Sequence, residues 1–187
     1  MRRLTLATAL ILAALPALAE GTSNMSSHTP PPQTLAPVGD IETARVISTV
    51  SSIPMAVDLA AYDLAERAFA PEIVIDYTSL WGGEPATMTP AQLMTTWRGI
   101  VPGFDATWHQ LSEVSATVTG DTATATAFVD GRHWLEGDLW RPVGQYHWRL
   151  QKDKGQWKVT HMTFAMTEEH GDRTITQRAM ERAARKL

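Results

Sequence analysis

Alternation of period two constrains this chain more than any other feature. From Thr122 to His133, one parity reads Ala123, Ala125, Ala127, Val129, Gly131, His133 and the other reads Thr122, Thr124, Thr126, Phe128, Asp130, Arg132. Successive side chains on a strand point to opposite faces. The segment therefore predicts a long strand with one small-residue face and one mostly polar face. A row of alanines fills a core poorly and leaves a hollow, and His133 ends on that side. Taken alone, His133 is either a core histidine bonded to a backbone carbonyl or a titratable ring aimed into a pocket.

The surrounding sequence extends this strand into a sheet. Gly120-Asp121 is a two-residue hairpin signal, and Glu136-Gly137-Asp138 and Asp153-Lys154-Gly155 mark two further turns. Residues 105 to 166 thus predict an antiparallel meander. Within its first strand, His109 and Leu111 have one parity, while Val114, Ala116 and Val118 have the other. A β-bulge near Ser112 would put both sets on the core face and bring His109 and His133 to the same interior from neighbouring strands.

Helical patterns precede the meander. Asp40 is placed to cap a helix with Val46, Ile47, Val50 and Ile53 as its apolar stripe, interrupted at Pro54. A second pattern, Met55, Leu59, Tyr62, Ala65 and Phe69, predicts another helix with Asp58 on its buried stripe and Asp63 on its solvated side. A carboxylate on an apolar stripe is expensive unless something bonds it, which singles out Asp58 as either a structural acid or a catalytic one. Ala70-Pro71 ends the helix, and Ile73 to Tyr77 predicts a strand followed by a turn-rich loop, Trp81-Gly82-Gly83-Glu84-Pro85. Thr89-Pro90-Ala91-Gln92 is a capping box with proline at the first helical position, and its helix carries Leu93, Trp97, Ile100 and Val101 on one face. The tail from Asp172 to Leu187 predicts an amphipathic helix docked at the end of the chain.

The N-terminus reads as a leader. Arg2 and Arg3 precede an apolar run from Leu4 to Leu15 and an A-x-A site at Ala17-Leu18-Ala19, so residues 1–19 predict a signal peptide and a periplasmic destination. Residues 20–40, with Pro30-Pro31-Pro32 and many Ser and Thr, predict a flexible linker. The remaining residues 41–187 make one domain of ordinary size. The whole chain carries a formal net charge of −4, which gives no electrostatic case for binding nucleic acid or an anionic membrane. The absence of cysteine excludes disulfides, thiolate chemistry and zinc–cysteine sites. His109, His133, His147 and His161 fall on four predicted strands without H-x-H or H-x-x-x-H spacing, a weak metal pattern, so no metal is expected.

The order of elements resembles the NTF2-like superfamily: an α+β, cone-shaped barrel with N-terminal helices packed on a curved antiparallel sheet, here with a C-terminal helix added. Residues 70–77 (Ala-Pro-Glu-Ile-Val-Ile-Asp-Tyr), then Gly82-Gly83-Glu84-Pro85, Ala106-Thr107-Trp108-His109 and Gly155-Gln156-Trp157-Lys158-Val159 resemble the SnoaL-like group. Its scytalone and bile-acid dehydratases are the mechanistic relatives that this resemblance implies. Their pattern has an Asp thirteen residues before the Pro of Ala-Pro, which falls on Asp58. Their Asp-Tyr falls on Asp76-Tyr77, their Thr-x-His on Thr107 to His109, and their second His, twelve residues after the hairpin Asp121, on His133. Val57 stands where the pattern has a tyrosine, and Gln145 is the polar substitute expected for pocket-lining Ser and Asn near Val143 to His147.

The resemblance implies a catalytic set of Asp58, Tyr77, His109 and His133. Trp81, Met94, Trp97, Trp134 and Gln145 are expected around an apolar substrate. The implied activity is a cofactor-independent dehydratase of a small ring compound, with assembly as a homodimer or homotrimer. The alternatives are a ligand-binding module without chemistry and a SnoaL-like cyclase or isomerase built from the same acid–base parts.

Overall fold

A computed structural model describes residues 41–186; the signal peptide and linker expected over 1–40 lie outside the described residues. The chain forms helices α1 (Ile41–Asp58) and α2 (Tyr62–Glu66), strand β1 (Phe69–Asp76), helix α3 (Thr78–Trp81), strand β2 (Ala86–Met88) and helix α4 (Pro90–Arg98). A 3-10 turn at Val101–Gly103 leads into β3 (Ala106–Thr119), β4 (Thr122–Leu135), β5 (Asp138–Asp153), β6 (Gln156–Gly171) and helix α5 (Ile175–Ala184). The six strands form one curved sheet ordered β2-β1-β6-β5-β4-β3. Its two edge strands do not pair with each other, so the expected cone is an open sheet wrapped around the helices.

The meander follows its turn signals. The hairpins close at Gly120-Asp121, Glu136-Gly137 and Lys154-Gly155, and β6 runs beyond the expected end at Met166 to Gly171. Strand β1 joins this antiparallel sheet through a parallel pairing with β6, with Ile75 opposite Met162. The alanine face of β4 points inward: Ala123, Ala125, Ala127 and Val129 are almost fully buried. Facing them from β5 are the large rings Tyr146, opposite Ala127, and Trp148, opposite Ala125. Small residues on one strand thus make room for large ones on the next.

The bulge on β3 is present. Register shifts between Ser112 and Ser115, and Glu113 takes φ 53°, the left-handed conformation that β-branched and bulky residues avoid. Above the bulge His109 and Leu111 face inward; below it Val114, Ala116 and Val118 do.

The N-terminal helices differ from their sequence pattern. Helix α1 runs through Pro54 to Asp58 as one element, giving up only the bond that the Pro54 nitrogen cannot donate. Its inward residues are Val46, Val50, Ile53, Pro54, Ala56 and Val57, whereas Met55 and Leu59 are exposed. The expected second helix is a single short segment, and Phe69 belongs to β1. The helical period was carried across a break: Ala60 takes φ 55° and turns the chain between the helices. Helix α4 begins as its sequence predicts, with Thr89 and Gln92 exchanging both capping-box bonds. Such a cap is worth about 1 kcal/mol. Helix α5 docks through Ile175, Ala179 and Ala183, and Ala179 packs on Gly103 so closely that a β-carbon there would overlap its carbonyl. No helix among the described residues is long and apolar enough to cross a membrane.

Candidate active site

A cavity of about 520 Å³ opens between the helices and the concave face of the sheet. Most of its wall is apolar, with Ile53, Val57, Leu93, Phe104, Val129 and Phe164 among its residues. His109, His133, Tyr77 and Tyr146 are the ionisable groups facing this apolar interior, and Glu84 lies at the exposed rim. The lining includes no lysine or arginine.

Asp58 ends α1 beside the edge strand β3. A carboxylate at a helix C-terminus meets the unfavourable end of the helix dipole, so other donors must hold it. Three do. The Thr107 hydroxyl donates to Oδ1 at 2.7 Å, the His109 backbone N–H to Oδ2 at 2.7 Å, and the His109 ring Nδ1 contacts Oδ1 at 2.7 Å. Burial pulls the Asp58 pKa up, but the bonds and charge of His109, with the Thr107 hydroxyl, outweigh it and leave it below the usual carboxylate value. An ionised carboxylate can only accept, so Nδ1 carries a proton and donates it to Asp58.

The His109 ring packs edge-on to His133, with centroids 5.0 Å apart. It also lies against Gly131, its partner across β4. A β-carbon on Gly131 would stand 3.3 Å from His109 Cδ2, 3.3 Å from the Pro142 carbonyl oxygen and 3.6 Å from His133 Cε1. The small-residue face of β4 thus creates the seat of the catalytic candidate. His133 is 6% exposed, sandwiched between Phe104 and Trp140, and its Nδ1 has no hydrogen-bond partner. Burial first, and the His109 charge second, push its pKa down to about 3 against weaker upward pulls from the Trp140 backbone and Asp58. His133 is therefore a neutral imidazole in ordinary buffers.

Tyr77 follows β1 and lines the cavity beside Tyr146. Burial pushes both phenol pKa values up, so both are protonated donors. At the mouth, the Trp81 ring lies 5.6 Å from that of Trp140, and the Arg173 guanidinium stands 5.6 Å over the Trp81 ring. Arg173 donates to both oxygens of Glu169, at 2.6 and 2.9 Å, and to the Leu80 carbonyl at 2.7 Å; Trp140 Nε1 donates to Glu169 at 2.6 Å.

Tyr77, Trp81, Trp97, His109 and His133 line this cavity, and Asp58 holds the His109 ring from outside the lining. Three expected lining residues do not. Trp134 follows inward His133 by one residue and so faces outward, partly exposed. Gln145 is exposed on the outer sheet face for the same reason, since the inward parity of β5 is that of Pro142, Tyr146 and Trp148. Met94 is fully buried in α4, within the core rather than the cavity wall. Trp140 and Tyr146 line the cavity and were missed, although alternation along Trp140, Pro142, Gly144, Tyr146, Trp148 and Leu150 marks them. His147 lies on the exposed face, away from His109 and His133. No cluster of three His, Cys, Asp or Glu residues suited to a metal ion occurs among the described residues.

An open curved sheet wrapped around helices, with a carboxylate–imidazole pair at its hollow, is the architecture of an NTF2-like α+β domain. The SnoaL-like domain model matches residues 42–163, and the chain belongs to that family. None of the curated proteins compared matches the sequence. Among solved structures, the Kfla4162 protein of Kribbella flavida is 23% identical, covering 75% of this chain and 95% of its own, with TM-score 0.65. A proposed scytalone dehydratase from Novosphingobium aromaticivorans is 19% identical, covering 71% and 88%, with TM-score 0.62. A type 2 hexachlorocyclohexane dehydrochlorinase, LinA, is 13% identical, covering 69% and 87%, with TM-score 0.60. At these identities the likeness is one of fold.

Proposed function

We propose that this protein is a cofactor-independent lyase that dehydrates a small, neutral, mostly apolar ring compound carrying a carbonyl. The observation that carries the reading is the 2.7 Å contact between Asp58 Oδ1 and His109 Nδ1 at the wall of an apolar cavity. Asp58 accepts the Nδ1 proton, so Nε2 is the base. It takes a proton from the carbon next to the carbonyl, and the electron pair moves onto the carbonyl oxygen. Tyr77 and neutral His133 are donors for that developing charge. As the electrons return, the hydroxyl on the adjacent carbon leaves, and the proton on Nε2 goes with it as water. The product is an α,β-unsaturated or aromatised carbonyl compound. A cationic or anionic substrate finds no counter-charge in the inner wall, which favours neutral ligands. Two fold relatives bear the names of eliminations, a dehydration and a dehydrochlorination, in agreement with this reading.

The test is a screen of cyclic β-hydroxy ketones for the absorbance of a new conjugated carbonyl, with Asp58→Asn and His109→Ala as controls. Turnover in the wild type, lost in both variants, supports a lyase. Saturable ligand binding with no product from any of them favours the non-catalytic binding module instead. We also propose export and assembly as a homodimer or homotrimer. An exported protein beginning at Glu20 is the outcome expected from N-terminal sequencing, and light scattering reads the assembly.

A further inference from the structure

Three donors converge on the Asp58 carboxylate, and all of them come from one short stretch of β3. The Thr107 hydroxyl and the His109 ring Nδ1 both reach Oδ1, and the His109 backbone N–H reaches Oδ2, each at 2.7 Å. Residues 107 and 109 share a face of the strand, which is why two side chains meet one carboxylate. His109 alone supplies one donor to each oxygen. Its backbone N–H is fixed by the strand, whereas its ring turns about two torsions. With only these two bonds, carboxylate and ring can swing together about the backbone contact. An anchor that does not belong to the ring stops that motion, and the Thr107 hydroxyl is such an anchor.

We propose that Thr107 is a positioning residue: its hydroxyl fixes the rotation of the Asp58 carboxylate and, through it, the aim of the His109 ring into the cavity. This deepens the function proposed above and rests on it only for the effect on turnover, since the order of the ring is a property of the free protein. A branched β-carbon restricts χ1, so the hydroxyl itself stands in one place. Thr107 is half-buried, lies opposite His133 across β4 and is absent from the cavity lining, so it reaches a ligand only through Asp58. Gly131, opposite His109, leaves room for the ring, and Thr107 sets where in that room it stands. The Asp58 side chain is partly open to solvent. Water in place of the hydroxyl would satisfy Oδ1 without anchoring it.

The test reads the His109 Nδ1 proton by nitrogen-edited proton NMR of the ligand-free protein. In the wild type, a ring N–H in so short a bond to a carboxylate is expected far downfield, slow to exchange with water, and absent from His109→Ala. Thr107→Val and Thr107→Ala both remove the hydroxyl, the first with little change of shape. Either is expected to move that proton upfield and to speed its exchange about tenfold, the worth of one charge-assisted hydrogen bond. Thr107→Ser keeps the hydroxyl and is expected to keep the wild-type signal. In turnover, Thr107→Val should lower kcat by about ten- to a hundredfold through misalignment, with KM unchanged. A merely structural threonine would lower the melting temperature in the variants and leave the ring proton where it was. That result overturns the proposal, as does a wild type without the downfield proton or a serine variant that loses it. Failure of the lyase reads differently. A ring proton that follows the hydroxyl, in a wild type that turns over no cyclic β-hydroxy ketone, sinks the lyase and leaves Thr107 as the anchor of the pair.

Discussion

Two carboxylates in this molecule do similar jobs in different surroundings. Asp58 and Glu169 each accept three hydrogen bonds, and each fixes a ring on the cavity wall. Asp58 lies inside, 17% exposed, and its main partner is the His109 imidazole. Glu169 lies at the mouth, and its main partner is a guanidinium, charged at every pH of interest. Burial opposes ionisation of both, and in both the hydrogen bonds prevail. The difference lies in the partner: the carboxylate facing an imidazole orients a ring in the cavity wall, and the one facing a permanent charge makes a latch. The latch holds Trp81 through the cation over its face and holds α3 through the Leu80 carbonyl.

The sharpest way to break the comparison is to neutralise each carboxylate in turn. Asp58→Asn is expected to lower turnover by about 10²- to 10⁴-fold, the usual worth of a general base, because the His109 base loses the carboxylate that holds it. Glu169→Gln should change it only a few-fold. Comparable losses in steady-state assays would refute the distinction. Next in size is the response of stability to acid. His133 is depressed to about 3 from 6.5. Between those values the unfolded chain binds a proton that the folded chain does not, so stability falls as pH drops through that window. Asp58 acts lower: its contribution is present above the unfolded value of 3.8 and fades as pH falls through its lower folded value. Thermal melts across pH should show both, and His133→Leu should flatten the first while leaving the second.

Gly131→Ala comes third. Its new methyl would press on the His109 ring at 3.3 Å and on the Pro142 carbonyl, forcing shifts of a few tenths of an ångström. Turnover is expected to fall about tenfold through misalignment, with the denaturant midpoint nearly unchanged; a wild-type rate would show that the ring has slack. The smallest effect belongs to Arg173→Ala. Freed from its cation, Trp81 should swing on Gly82 and Gly83, both of which have positive φ and open space around them. Ligand dissociation is expected to quicken a few-fold in stopped-flow traces, while stability drops by under about 1 kcal/mol, as for other partly exposed pairs.

Much of this was legible in the sequence because strands announce themselves by parity. The alternation of β4, the parity switch on β3 and the three turn signals were enough to place His109 and His133 on the same interior. Asp58 was found by a helical stripe that proved wrong in its members: Met55 and Leu59 are exposed, and Asp58 instead follows Val50 and Pro54 at four-residue steps. Proline signalled a break that tertiary packing overrides, and the real break at Ala60 carries no glycine or proline to mark it. Trp134 and Gln145 were misplaced because residue type was given more weight than parity. Trp140 and Tyr146 were readable by the rule that exposed those two errors. The Glu169–Arg173 latch left no local trace, because its partners Trp81 and Trp140 are distant in sequence.

The bulge at Glu113 means that β3 is written in two reading frames. The Gly120-Asp121 hairpin locks the frame from Val114 onward, so the frame of Thr107 to His109 hangs on one extra residue. Deleting Glu113 would leave Ser112 opposite Phe128 and His109 opposite Gly131, a plain ladder with both sets still on the inner face. The opposite case is a full-length β3 that never bulges: Val114 onward keeps its frame, and Trp108 replaces His109 on the inner face. An indole would then fill the hollow, and the imidazole would face water. Whether this domain holds an open hollow or a plugged scaffold is therefore set by how the strand absorbs one residue at a position outside the cavity lining.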